Sequence, residues 1–153
     1  MEERLNFFKL EFEKFFIENH PDHVCSFKSK DEYHLWLKEF SDNALDYYEN
    51  LIDSNHNHMI AEEITKEEFL RDYKFSPYHH FLSIFEENFP EVFEGINETQ
   101  YNTFTFLSFY FLCQRAFDKY PKGQYFVYSD ELDNDILNIL SSRLEKLNLI
   151  NIE

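Results

Sequence analysis

Five carboxylates, Glu39, Asp42, Asp46, Glu49 and Asp53, follow one another at steps of 3, 4, 3 and 4. One turn of an α-helix takes about 3.6 residues, so a helix here carries all five on one face over roughly four turns. Such a line can dock a basic surface and steer it from a distance. It can equally be the solvated side of a helix whose other side is core. Imitation of DNA is a bolder reading, and the spacing argues against it. Fourteen residues of helix span about 21 Å, or one charge per roughly 5 Å, where a duplex carries one per about 1.7 Å.

A second constellation has the residue types of a metal site. His56, His58 and Glu62 could offer two imidazoles and a carboxylate, the core of a metal-dependent enzyme. Yet no His-Glu-x-x-His string supplies a further ligand and a base. The stretch Asp53-Ser-Asn55-His-Asn57 opens like a calcium loop, but His58 stands where the sharp turn needs Gly and Ile64 where the bidentate Glu belongs. A helix-to-helix turn rich in Asn and Asp is the simpler reading. His79 and His80 are adjacent and point about 100° apart on a helix, one inward and one outward. Asp130, Glu131, Asp133 and Asp135 fall where a helix N-terminus favours acids. There is no Gly-rich phosphate loop, no Gly-x-Ser-x-Gly elbow and no nucleophile beside a base, so no cofactor is expected and the residues point away from an enzyme. Cys113 lies in the most apolar segment, where a thiolate is suppressed.

The whole composition bounds the partners. With 30 acids against 14 bases the net charge is -16, the wrong sign for direct nucleic-acid binding. Cys25 and Cys113 form no metal or redox spacing, which fits a reduced cytoplasmic chain. The apolar run Tyr101 to Cys113 is shorter than the roughly 20 residues a bilayer span needs, so no membrane is expected. Aromatic residues make up 20% of the chain, enough for a core despite the charge. Exposed rings would also leave a homodimer open. Only 2 Gly and 4 Pro are present, too few for a many-stranded sheet.

The elements that must position these residues are helices. Leu5, Phe8, Phe12, Phe15 and Phe16 share one face of a helix over Glu2 to Asn19, stopped by His20-Pro21. Ser29 with Glu32 has the form of a capping box opening a long helix to about Asp53, with Tyr33, Leu37, Phe40, Ala44, Tyr48 and Leu51 opposite the acidic line. A third helix runs from about His58 to Asp72. Ser76-Pro77 starts a fourth, ended at Pro90, and a looser stretch with Gly95 leads to Asn97, the cap expected for a fifth. That fifth helix, Tyr101 to Phe117, is apolar nearly all round and belongs at the centre of the bundle. Its alternating Thr and Phe leave a strand as the alternative. Tyr125 to Tyr128 is expected to be briefly extended before Ser129 caps a last helix.

Leu10 to Phe89 resembles an uncharacterised helical family of Bacteroidetes-type bacteria, the domain-of-unknown-function family numbered eighteen ninety-six. The residues that carry the resemblance are Phe16-Ile-Glu-Asn-His20-Pro21, Asn43-Ala-Leu-Asp-Tyr-Tyr48-Glu49, Phe69-Leu70, Lys74-Phe75-Ser76-Pro77-Tyr78 and Glu87-Asn88-Phe89. This chain departs from the family at Pro77, where a lysine is usual, at His79-His80, where an Asp-Thr pair is usual, and between Asp53 and Asn57, where the family has a glycine. The resemblance implies a multihelical cytoplasmic protein, in a family often encoded on mobile elements beside DNA-processing genes.

The expectation is thus an all-α single domain over residues 1–153, a bundle of about six helices around a central aromatic-rich helix. Its expected role is that of an acidic interaction or accessory module, with Glu39, Asp42, Asp46, Glu49 and Asp53 meeting a protein partner that has a basic surface. A DNA-mimic inhibitor and a metal-dependent enzyme at His56, His58 and Glu62 are the alternatives.

Overall fold

A computed structural model of the chain describes residues 2–119 and 129–150, and every regular element among them is helical. Eight α-helices follow in order: α1 (Glu2–Asn19), α2 (Pro21–Cys25), α3 (Lys30–Asp53), α4 (His58–Leu70), α5 (Pro77–Asn88), α6 (Pro90–Asn97), α7 (Asn102–Asp118) and α8 (Asp130–Lys146). A single 3-10 turn, Arg71–Tyr73, follows α4. The all-α class is as the sequence indicates, with two more helices among the described residues than the six expected.

Both additions have one cause. Pro21 and Pro90 end the preceding helix, and each also stands in the first turn of a new one, α2 and α6. Proline lacks the N–H that a first-turn residue leaves unused, and its fixed φ suits the helix it opens. Asn97 consequently closes α6 and does not cap α7, whose N-cap is Tyr101 with no side-chain bond. The serine signals hold: Ser29, Ser76 and Ser129 accept from the backbone N–H of Glu32, His79 and Glu131 at 3.1 to 3.2 Å. The expected extended run Tyr125 to Tyr128 lies outside the described residues.

Contacts divide the chain into two compact units, residues 1–74 and 75–153. In the first, α3 packs on α1 and α4 around Phe8, Phe12, Phe16, Leu37, Ala44 and Tyr48. Rings here meet edge-to-face, as at Phe12–Phe40, 4.9 Å and 80°, the arrangement aromatic quadrupoles favour. In the second, α7 packs on α5, α6 and α8 around Phe81, Phe85, Tyr110, Phe117, Leu132 and Ile136.

α7 is a helix, not a strand, but it is not enclosed on every side. It buries Phe106, Leu107, Phe109, Tyr110, Cys113 and Phe117 and exposes Phe104, Phe111 and Leu112. The uniform apolarity that suggested a central helix therefore serves a core on one side and an open face on the other. Among the described residues no helix is long and apolar enough to cross a membrane.

Candidate functional site

The five carboxylates lie on α3 as the spacing requires. Tyr33, Leu37, Ala44, Leu45 and Tyr48 are buried on one side of the helix. Glu39, Asp46 and Asp53 are exposed on the other, while Asp42 and Glu49 are half-buried. One cation answers them: Lys38 Nζ lies 3.1 Å from Asp42 Oδ2, one turn away. Among the described residues the other four have no ion pair.

The placement works against the helix that carries it. Like charges three and four residues apart repel, at a cost of roughly 0.2–0.5 kcal/mol a pair. The C-terminal end of a helix carries partial negative charge, so acids near it are unfavourable. Asp53 is the last residue of α3 and Glu49 lies one turn earlier, with no basic residue in the last turn to offset them. A face that only had to stay wet would be served better by mixed signs.

Asp53 leads into a turn held by the Asn and Asp chemistry that the sequence suggested. Asn55 adopts φ 69°, its N–H donates to Ile52 O at 3.0 Å, and the N–H of His56 donates to Leu51 O at 3.1 Å. This is the paired bonding of a Schellman cap, with Asn in the left-handed position usually taken by glycine. It explains how the chain dispenses with the glycine that the family resemblance leads one to expect. Asn57 then caps α4 by accepting from Met59 N at 2.8 Å.

The three residues of the metal reading are not brought together. His56 Nδ1 donates to Leu51 O at 3.0 Å, His58 Nδ1 shares a 2.5 Å hydrogen bond with the Tyr48 hydroxyl, and Glu62 pairs with Arg4. Among the described residues no group of three His, Cys, Asp or Glu side chains could hold a metal ion. What does assemble is a polar cluster that spacing could not reveal. The Arg4 guanidinium, 58 residues from Glu62, also lies 5.1 Å from the Tyr48 ring centroid and 5.6 Å from that of Phe7.

Of the other histidines, His20, His23 and His80 take structural places and His34 lies exposed. His79 is exposed, and His80 turns inward to donate from Nε2 to Asp133 at 2.7 Å. Asp130, Glu131 and Asp133 occupy the first turn of α8, and Asp135 lies 3.6 Å from Lys119. Burial pushes the Cys113 thiol up to about 12, which keeps it inert. His20 donates from Nε2 to Tyr73 O at 2.6 Å. His23 sits among Phe16, Phe27, Trp36 and Tyr73, its ring centroid 4.7 to 5.9 Å from theirs. That aromatic box draws on four separate elements and loops, so no local pattern announced it.

Comparison with known proteins places this architecture. A family model described as a domain of unknown function (DUF1896) matches residues 1–141, well beyond the stretch whose motifs carry the resemblance. The crystal structure of protein PG0816 from Porphyromonas gingivalis is similar in fold, with a TM-score of 0.72 at 19% identity, covering 99% of this chain and 97% of that one. No curated protein matches the chain.

Proposed function

The chain belongs to the DUF1896 family, a domain of unknown function, and from that premise we propose that it is an acidic protein-interaction module of the cytoplasm whose docking face is the carboxylate line of α3. Its partner is a protein with a basic surface. The genomic setting implied by the family resemblance suggests a DNA-processing protein of a mobile element, regulated by occupation of the surface that otherwise meets nucleic acid.

One observation carries this reading. Glu39, Asp46, Glu49 and Asp53 stand without an ion pair among the described residues, on a helix whose own electrostatics disfavour them, two of them near its negative end. Local stability is given up at a surface that needs no such charge for its fold. Places where a chain breaks a local rule without local benefit are where function is to be sought.

The test is capture from a lysate of a bacterium that encodes the chain, using wild type and the variant Glu39→Lys, Asp46→Lys, Glu49→Lys. A protein retained by wild type at low salt and lost by the variant, with both chains equally helical, supports the reading. Identical capture profiles from the two chains would dispose of it.

A further inference from the structure

A different face, in the second unit, offers the opposite charge. α7 exposes Phe104 (73%), Phe111 (41%) and Leu112 (47%), and Leu147 and Leu149 are exposed at the end of α8. Scattered apolar residues on a surface need no explanation, but contiguous ones mark contact sites. Here Phe104, Leu112 and Leu147 share one cavity. A cavity of about 310 Å³ is lined by Phe104, Ser108, Leu112, Arg143 and Leu147 among others. A second, of about 480 Å³, is lined by Leu112, Asn138, Ile139, Ser142, Arg143 and Lys146. Leu112 and Arg143 belong to both, so the two join into one trough along α7 and α8.

The trough has a charge signature that names its occupant. Among the described residues no carboxylate lines either cavity, although the chain has 30 acids and only 14 bases. Arg143 and Lys146, in the last turn of α8, have no ion pair among the described residues; Lys9, Lys14, Lys28, Lys30 and Arg115 have none either, but none of those five lines the trough. Two cations are thus held on the rim of an apolar trough in a protein with a large surplus of carboxylates.

We propose that this trough docks an amphipathic helix of a partner protein, with apolar side chains at i, i+4 and i+7 in the trough and flanking Asp or Glu on Arg143 and Lys146. The stretch from Phe104 to Leu112 covers about 12 Å of α7, the length of roughly two turns of such a helix. A basic segment would be repelled by the rim. A second copy docked trough to trough about a two-fold axis would bring four cations into one interface without a carboxylate among the described residues of either lining.

The probe is a fluorescent synthetic peptide of about 15 residues with Leu on one helical face and Glu on its flanks, titrated with the full chain and followed by anisotropy. Its control replaces every Glu with Lys. The acidic peptide should bind saturably, and the control at least about ten-fold more weakly, as should the acidic peptide to Arg143→Glu, Lys146→Glu. Ser108→Trp, an exposed change that fills the trough, should block binding and leave the melting temperature unmoved. Absence of saturable binding, equal binding of the two peptides, or indifference to both variants overturns the proposal. So does a wild-type dimer in sedimentation that Leu112→Asp dissociates, since the face would then belong to a second copy.

Discussion

Tyr33 is 6% exposed and its hydroxyl, buried within the first unit, has no hydrogen-bond partner among the described residues. Burial and the nearby Glu13 carboxylate raise its pKa, so the phenol stays neutral. A buried hydroxyl without a partner forfeits its bonds to water, at about 1–3 kcal/mol. Tyr33→Phe is therefore expected to raise the melting temperature by a few degrees; a fall would reveal a bound water that satisfies the oxygen. Asn55 makes the converse case. Its φ of 69° costs an L-residue about 1 kcal/mol, so Asn55→Gly should be neutral or stabilising and Asn55→Val destabilising by at least that much in urea denaturation. His23 links the fold to pH. Burial lowers its pKa from 6.5, against the raising effect of Asp22 and with a smaller lowering by His20. The folded chain thus resists a proton that the unfolded chain accepts. The stability tied to His23 is full above about pH 6.5 and is lost as pH falls through the lower folded value. Melting temperatures from pH 7.5 to 5 should show this decline in wild type and a shallower one in His23→Phe.

At the scale of elements, the signals that were legible are local ones. Ser29, Ser76 and Ser129 mark three helix starts because a cap is written within four residues, and the acidic line is readable because its register is fixed once α3 is a helix. Pro21 opens a helix of only five residues, too short to show a period, whereas after Pro90 the residues Val92, Phe93 and Ile96 fall at helical spacing, so the start of α6 is legible once proline is taken as an opener as well as a stop. The Arg4–Glu62 pair and the box around His23 were illegible because they are closed by the packing of α1, α3 and α4, not by spacing. The same logic yields a prediction for α3. Neutralising its end with Glu49→Gln, Asp53→Asn should raise stability by a few tenths to about 1 kcal/mol. A loss of stability would mean that these carboxylates hold the helix, and that nothing is sacrificed in keeping them.

At the scale of the whole molecule, each unit has its own aromatic core, and the single domain expected from the sequence becomes a question about cooperativity. Phe12→Ala and Phe85→Ala each remove a fully buried ring, one per unit, and each should cost about 3–5 kcal/mol. A single domain predicts that calorimetry shows one transition lowered by either change; two transitions, each answering to one substitution, would make two domains. The charge of -16 is likewise resolved into places: a carboxylate line on α3 in the first unit, and in the second two cations, without an ion pair among the described residues, beside an apolar trough. The line on α3, as a docking face, must lose its partner as salt rises. This is tested most directly by the affinity of the captured partner for wild type and for the Glu39→Lys, Asp46→Lys, Glu49→Lys variant, measured between roughly 50 and 300 mM salt, where the Debye length falls from about 14 to 6 Å. A docking face on α3 requires a wild-type affinity that falls about ten-fold or more across that range and a variant that binds weakly throughout. Equal affinities of the two chains at the lowest salt would contradict it.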